Sequence, residues 1–357
     1  MPLDESDRYL APHTLDEAAQ CAATQDAAIL AGGTDLLPRW SKGLLQRPEA
    51  LVSLRNVEGL EGVARENGEI RIGACTTISE VASNPIVRDA APVLAGAAGR
   101  IACPQVRNRA TIGGNLCNAS PAADTAVPLI LLDAVLDVAS WSGSSVTTRE
   151  VPITEFFNGP GATILEPGEI LTGIRIMPLF HHCGTDTCDT DICDTGVSPV
   201  SDHGRDARAT RGFGMGSRQR PSAEMPRGLK PAARQEEGPR GLKSAARPAV
   251  YAAWDKLGTR PAMEIAVASV GIAIKIEGET VTHARVGYGS VAPVPVRGRK
   301  AEAALMDHPL SVETIEWCQA AARAEIAPIS DVRASAAYRR EVVGVMLRRM
   351  LERAARE

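Results

Sequence analysis

Ala110-Thr111-Ile112-Gly113-Gly114-Asn115-Leu116-Cys117-Asn118-Ala119-Ser120-Pro121-Ala122-Ala123-Asp124 is the stretch whose reading decides the fold. Its paired glycines permit φ > 0 and let another group approach the backbone closely. Ser120 is a good N-cap and Pro121 suits a first helical position, so the pattern predicts a helix running from Ser120 to Leu132. Exposed N–H groups on a glycine turn beside a helix N-terminus suit a phosphate. A shorter version lies upstream in Ile29-Leu30-Ala31-Gly32-Gly33-Thr34-Asp35-Leu36, where a short apolar run breaks into Gly-Gly-Thr-Asp. Either turn alone is an ordinary loop; two together can grip both ends of a diphosphate.

Working outward, Thr14 followed by Glu17 predicts a capping box and a helix. Strands are predicted at 27–31, 50–54, 59–64 and 69–72, with short helices at 36–44 and 77–83. The alanine-rich run 87–101 predicts one helix. Alternation predicts strands at 135–140 and 147–152 about a Ser142-Gly143-Ser144 turn, and another at 169–176. Residues 156–161 read as loop. Strands at 250–256, 263–276 and 280–290 follow, then helices at 300–306, 312–326 and 336–353. Between Leu179 and Val250 periodicity vanishes, and Pro226–Arg234 recurs thirteen residues later as Pro239–Arg247. Such a segment buries too little apolar area to offset its ordering entropy, so it is expected to be a disordered insertion. Cys183, Cys188 and Cys193 lie there beside His181 and His182. Their spacing fits none of the usual iron–sulfur runs, and no metal site is assigned.

A chain of 357 residues holds two domains' worth of core, and with 3% aromatics that core must be aliphatic. A net charge of −4 gives no electrostatic reason to expect nucleic acid or an anionic membrane as partner. No apolar run approaches the roughly 20 residues that span a bilayer. The acidic start, Met1 to Asp7, lacks the parts of a signal peptide, so a cytoplasmic protein with reduced cysteines is expected.

Ala31-Gly32-Gly33-Thr34-Asp35-Leu36-Leu37-Pro38, then Arg71-Ile72-Gly73-Ala74 with Thr76-Thr77, then Ile101 to Leu116 through Cys103-Pro104-Gln105-Val106-Arg107-Asn108, carry a resemblance. The chain resembles the FAD-binding medium subunits of the molybdenum hydroxylases, of the xanthine and carbon monoxide dehydrogenase type. The resemblance implies an α+β fold: a two-lobed FAD-binding domain at 1–178 (lobes about 1–56 and 57–178), the insertion at 179–249, and a C-terminal domain of small antiparallel sheet plus helices at 250–357. It implies noncovalent FAD here, with the molybdenum cofactor on a large partner subunit and [2Fe–2S] clusters on a small one. Electrons would pass from those clusters through FAD to NAD⁺ or another acceptor, in a dimer of heterotrimers.

By the same resemblance, Ile29, Leu30, Ala31, Gly32, Gly33, Thr34, Asp35 and Leu36 would bind the cofactor's diphosphate. Thr111, Gly113, Gly114 and Asn115 would flank it, and Cys117 and Asn118 would lie along its adenosine half. Asp124 would accept from a ribose hydroxyl, although a first-turn acid facing a helix dipole has the same pattern. Ile101 and Leu171 would pack on the cofactor, and equally fit a core. Lys256 would reach the flavin from the C-terminal domain, just before Met263, Glu264 and Ile265; a solvated surface lysine reads the same. No residue is assigned as nucleophile or general base, since the flavin supplies the chemistry. The readings set against this one are a stand-alone flavin oxidoreductase of the same fold and a non-catalytic nucleotide-binding scaffold.

Overall fold

The structure, a computed structural model, describes residues 8–24, 27–46, 48–179, 249–260 and 263–356. Residues 180–248 of the expected insertion, including Cys183, Cys188 and Cys193, lie outside the described residues.

The chain begins with a small parallel sheet in the order β1 (Arg8–Leu10), β3 (Ala50–Ser53), β2 (Ala27–Leu30). Helix α1 (Leu15–Ala22) starts with the expected capping box: Thr14 Oγ1 accepts from Glu17 N, and the Glu17 carboxylate accepts from Thr14 N. Helix α2 (Leu36–Ser41) follows β2 at once. Next comes a five-stranded antiparallel sheet, ordered β4 (Val63–Glu66), β5 (Glu69–Gly73), β10 (Ile170–Ile176), β6 (Val135–Trp141), β7 (Val146–Pro152). Four of its isoleucines, Ile70, Ile72, Ile174 and Ile176, are buried in the largest core together with Leu94, Leu129 and Ile130.

Short helices α3 (Ile78–Ser83) and α6 (Pro104–Arg107) belong to this part of the chain, and its other helices depart from the sequence reading at two points. The run expected as one helix divides into α4 (Pro85–Ala90) and α5 (Pro92–Gly99), because Pro92 lacks the N–H a continuous helix needs and instead opens a new one. The glycine stretch also folds differently. Thr111 Oγ1 accepts from Gly114 N and starts α7 (Ile112–Cys117), so Gly113 and Gly114 lie inside a helix at ordinary φ. Ala119, at φ +46°, ends it. Ser120 then folds a turn, its Oγ accepting from Ala122 N, and α8 begins only at Ala126 and runs to Leu131. The expected loop at 156–161 contains β8 (Phe157–Gly159), paired with β9 (Ala162–Thr163).

The C-terminal elements form a four-stranded antiparallel sheet, β11 (Ala249–Leu257), β12 (Ala268–Glu277), β13 (Thr280–Gly289) and β14 (Val296–Arg297) in sequence order. Strand β12 starts five residues later than the reading placed it. Helices α9 (Arg299–Leu305), α10 (Val312–Glu325) and α11 (Ala336–Ala354) complete a second core around Ile272, Ile274, Val286 and Leu347. Gly271 and Gly287 sit opposite each other in the β12–β13 ladder, and the bare trough receives α8. A Cβ on Gly271 would lie 2.8 Å from Leu131 Cδ1, and one on Gly287 3.1 Å from Val127 Cγ1. Arg285 fixes the far end of α8 by donating to Leu131 O at 2.9 Å and pairing with Asp133 at 2.7 Å.

Candidate functional site

The loop between β2 and α2 has two glycines with different duties. Gly33 takes φ +72°, a left-handed conformation that glycine adopts at no steric cost. Gly32 is there for proximity: a Cβ on it would lie 2.1 Å from the backbone oxygen of Arg109. Glycine thus lets the 29–36 loop press directly on the segment leading into α7. Among the described residues, no protein acceptor receives the backbone N–H of residues 32–36; the first bond of the following helix is Leu37 N to Gly33 O at 3.2 Å. Donors left unbonded in the wall of a crevice must be met by water or a ligand.

The opposite wall behaves otherwise. Ile112 N donates to Thr76 O at 3.0 Å, Gly113 N to Ala74 O at 2.8 Å, and Gly114 N to its cap. The first-turn donors of α7 are therefore consumed by protein, and this wall offers side chains instead. Gly113 is required by contact, since its Cβ would meet Ala74 at 2.7 Å. Thr125 Oγ1 donates to Asn115 Oδ1 at 2.6 Å, which orients the Asn115 amide.

The two walls enclose a crevice of about 350 Å³ lined by every residue from Ile29 to Leu36 and by Thr111, Gly113, Gly114, Asn115, Cys117 and Asn118. Leu171, at the edge of β10, lines it as well. Cys117 is reached by solvent because it opens into the crevice, yet protein atoms crowd that concave wall and desolvation pushes its thiol up to about 12. It stays neutral at pH 7. Lining residues that the sequence reading does not assign to the site include Arg39, Ala74 (quoted only as part of a motif), Cys75 and Glu169. Arg39 follows Asp35 at helical spacing, the one local signal that could have marked it.

Glu169 belongs to a third wall, with Gly161 and Leu165. Arg149 grips it with two bonds, Nε to Oε1 at 2.7 Å and Nη2 to Oε2 at 2.6 Å, and this holds the Glu169 carboxyl below its ordinary value. Glu169 Oε2 also accepts from Glu166 N at 2.8 Å. Replacing Arg149 with Met is expected to loosen this wall. The cost is about 1 kcal/mol, the size of a well-formed but half-exposed bidentate pair, or about fivefold in affinity for whatever fills the crevice. Ligand titration of the variant checks it.

Three residues named from sequence do not line the crevice: Ile101, Asp124 and Lys256. The structure gathers them elsewhere. Lys256 Nζ, on β11, lies 2.5 Å from Asp124 Oδ2 and also donates to Arg100 O at 3.1 Å and Glu264 O at 3.3 Å. Both side chains of the pair are more than nine-tenths buried. The surface-lysine reading of Lys256 is therefore replaced by a buried ion pair, and Asp124 precedes α8 instead of complementing a helix that begins at Ser120. Burial pushes the Asp124 carboxyl above its ordinary value, opposed by the Lys256 charge. Its second oxygen, Oδ1, is buried without a hydrogen-bond partner. Arg100 lies 5.3 Å over the Trp254 ring and pairs with Asp255, which braces this corner. Ile101 is half-buried against the large core, and its carbonyl accepts from Arg107 at 2.8 Å. Among the described residues no cluster of three His, Cys, Asp or Glu could hold a metal, and no helix is long and apolar enough to cross a membrane.

Comparison with known proteins names the fold. Residues 5–179 match the FAD binding domain in molybdopterin dehydrogenase, and residues 254–354 match the CO dehydrogenase flavoprotein C-terminal domain. The chain is 28% identical over 343 residues to the putative xanthine dehydrogenase FAD-binding subunit of Escherichia coli (strain K12), covering 96% of this chain and 93% of that protein. It is 28% identical to the carbon monoxide dehydrogenase medium chain of Hydrogenophaga pseudoflava, covering 97% and 96%. The solved carbon monoxide dehydrogenase from Hydrogenophaga pseudoflava that lacks the Mo-pyranopterin moiety superposes with a TM-score of 0.74 at 27% identity, over 98% of both chains. The two matched models occur in the order and at the positions of the two groups of sheets. The chain belongs to the FAD-binding medium subunits of the molybdenum hydroxylases, an oxidoreductase family.

Proposed function

We propose that this chain binds FAD noncovalently across the crevice and the Asp124–Lys256 corner, and acts as the electron outlet of a molybdenum hydroxylase. The residues present fit the cofactor in two ways. Unbonded N–H groups at 32–36 match the acceptor-only oxygens of a diphosphate, and this observation carries the reading. The buried, unpartnered Oδ1 of Asp124 matches a hydroxyl donor such as a ribose. Ile29 to Leu36 would hold the diphosphate; Thr111, Gly113, Gly114, Asn115, Cys117 and Asn118 would flank it; Asp124 would orient the sugar. Leu171, Ile101 and Lys256 would bound the remainder.

When bound, the flavin supplies both one-electron and two-electron transfer. The chain's own part is to hold it, exclude water and keep charge near it fixed. Within the proposed assembly, a dimer of heterotrimers in the cytoplasm, this subunit would receive electrons from [2Fe–2S] clusters on a small partner. A large partner would carry the molybdenum cofactor and oxidise the organic substrate, and NAD⁺ or another acceptor would take electrons from this chain. The domains would divide as 1–178, 179–249 and 250–357.

Purification of the chain alone and co-expressed with its partner chains tests this. Alone, it should carry oxidised-flavin absorbance, release FAD on acid precipitation, and show no bleaching with organic substrate. In the complex, the same substrate should bleach it. A colourless chain that takes up no FAD, or one that turns over a substrate unaided, overturns the reading.

A further inference from the structure

The lining of the crevice carries two acids and an arginine whose presence the glycine loops do not explain. Its acidic lining residues are Asp35 and Glu169, and Glu169 is already neutralised by Arg149. Arg39 is the one cationic side chain among the described lining residues. It projects from α2, one turn after the unbonded N–H groups of residues 32–36. Trp40 Nε1 ties the end of that helix to the following loop by donating to Gln46 O at 3.1 Å, and Ser41 Oγ closes its last turn by donating to Pro38 O at 2.9 Å. Among the described residues the single polar side-chain contact of Arg39 is with Asp35 Oδ2 at 3.5 Å, and both side chains are about half exposed. An exposed pair of that length is weak. Asp35, at the N-cap position, makes no capping bond, so the long contact with Arg39 is what ties its carboxylate to the helix.

We propose that Arg39 is the counter-charge for the dinucleotide's diphosphate, leaving Asp35 when the cofactor enters, and that it sets the preference of the crevice for FAD over flavins lacking that group. This rests on the crevice being the diphosphate end of the FAD site. A guanidinium offers up to five donors in a fixed fork that matches phosphate oxygens, whereas the neighbouring backbone supplies dipoles but no net charge. Without Arg39 the lining would present two carboxylates against one external arginine, and a dianion would enter against net negative charge.

The test is titration of the full chain, stripped of flavin, with FAD and with riboflavin, at low and high salt. Arg39→Met should weaken FAD by about tenfold at low salt, the scale of one charge-assisted hydrogen-bond pair. It should also flatten the salt dependence, since a screened charge pair has been removed. Riboflavin affinity should not change, and Arg39→Lys should recover part of the loss. Unchanged FAD affinity in Arg39→Met, or equal loss for FAD and riboflavin, overturns the proposal. Gly32→Ala run alongside separates the two claims: if it also leaves FAD binding intact, the crevice is not the cofactor site, whereas if it alone abolishes binding, the crevice stands and Arg39 has no part.

Discussion

Gly32→Ala is expected to empty the crevice of FAD and to lower the stability of the fold, although it adds one carbon. The new Cβ would sit 2.1 Å from Arg109 O and 2.9 Å from Ala110 Cα. Both are backbone atoms, so no rotamer change relieves the overlap. The Arg109–Ala110 segment cannot easily retreat. Arg109 N and Ala110 N both bond Val106 O, at 3.0 and 2.7 Å, and Ala110 O accepts from Ile78 N at 2.8 Å. Overpacking of this kind costs about 1–3 kcal/mol. Because the displaced element is the loop that presents the donors, FAD affinity should fall by about a hundredfold, the scale of losing one or two hydrogen bonds to a charged group. Gly96→Ala is the control. Gly96 lies exposed in α5 with no atom within 4 Å of its would-be Cβ, so that variant should gain about 0.5–1 kcal/mol from helix propensity alone. Denaturant midpoints and FAD titrations of both variants decide the matter; a Gly32→Ala protein with wild-type midpoint and affinity would show that the two loops do not meet as described.

The contrast between the glycines shows what was legible in the sequence. Strands β6 and β7, their Gly143 turn, the capping box at Thr14 and the boundaries of α9 to α11 all follow from local rules, and each was readable within a residue or two. Composition marks the glycine pairs and offers two reasons for them, positive φ or close approach, without saying which applies at which position. Only Gly33 needs a positive φ; Gly32, Gly113 and Gly114 are small because something else must come close. Backbone proximity is a tertiary fact with no local signature. The helix start at Ser120 failed for a related reason. Thr111 offers an equally good cap nine residues earlier, and the tie is broken by Ile112 N and Gly113 N bonding Thr76 O and Ala74 O from the turn that follows β5. Arg39 and Glu169 stayed hidden because an exposed-looking charge acquires meaning only when the crevice closes around it. The pairing of Asp124 with Lys256, 132 residues apart, was equally invisible to pattern, even though the resemblance named both.

That pair is also where the largest stability loss should occur. In Lys256→Met the ammonium disappears from Asp124 Oδ2, Arg100 O and Glu264 O at once. Asp124 would then keep a buried carboxylate with neither oxygen paired, because Oδ1 has no partner even in the native chain. Breaking a buried ion pair from one side costs about 3–5 kcal/mol. Removing both charges in Asp124→Asn/Lys256→Met should recover much of that, because no uncompensated charge is left inside. The pH dependence distinguishes this account from simple loss of packing. Burial already holds the Asp124 carboxyl above its ordinary 3.8, and the Lys256 charge opposes that rise. Without Lys256 the folded-state value climbs further while the unfolded value stays put. Between those two values the native state binds more protons than the unfolded one, so stability falls as pH rises. The penalty is therefore absent below the ordinary carboxylate value, grows upward from there, and is complete once pH passes the raised folded value. Lys256→Met should consequently approach wild-type stability in acid and diverge from it toward neutral pH, while the double variant shows no such slope. Bound FAD should reduce the divergence, because a hydroxyl donating to Oδ1 favours the ionised carboxylate and lowers the folded value. A Lys256→Met protein whose deficit is the same at every pH would place Asp124 outside this argument and reduce Lys256 to a packing residue.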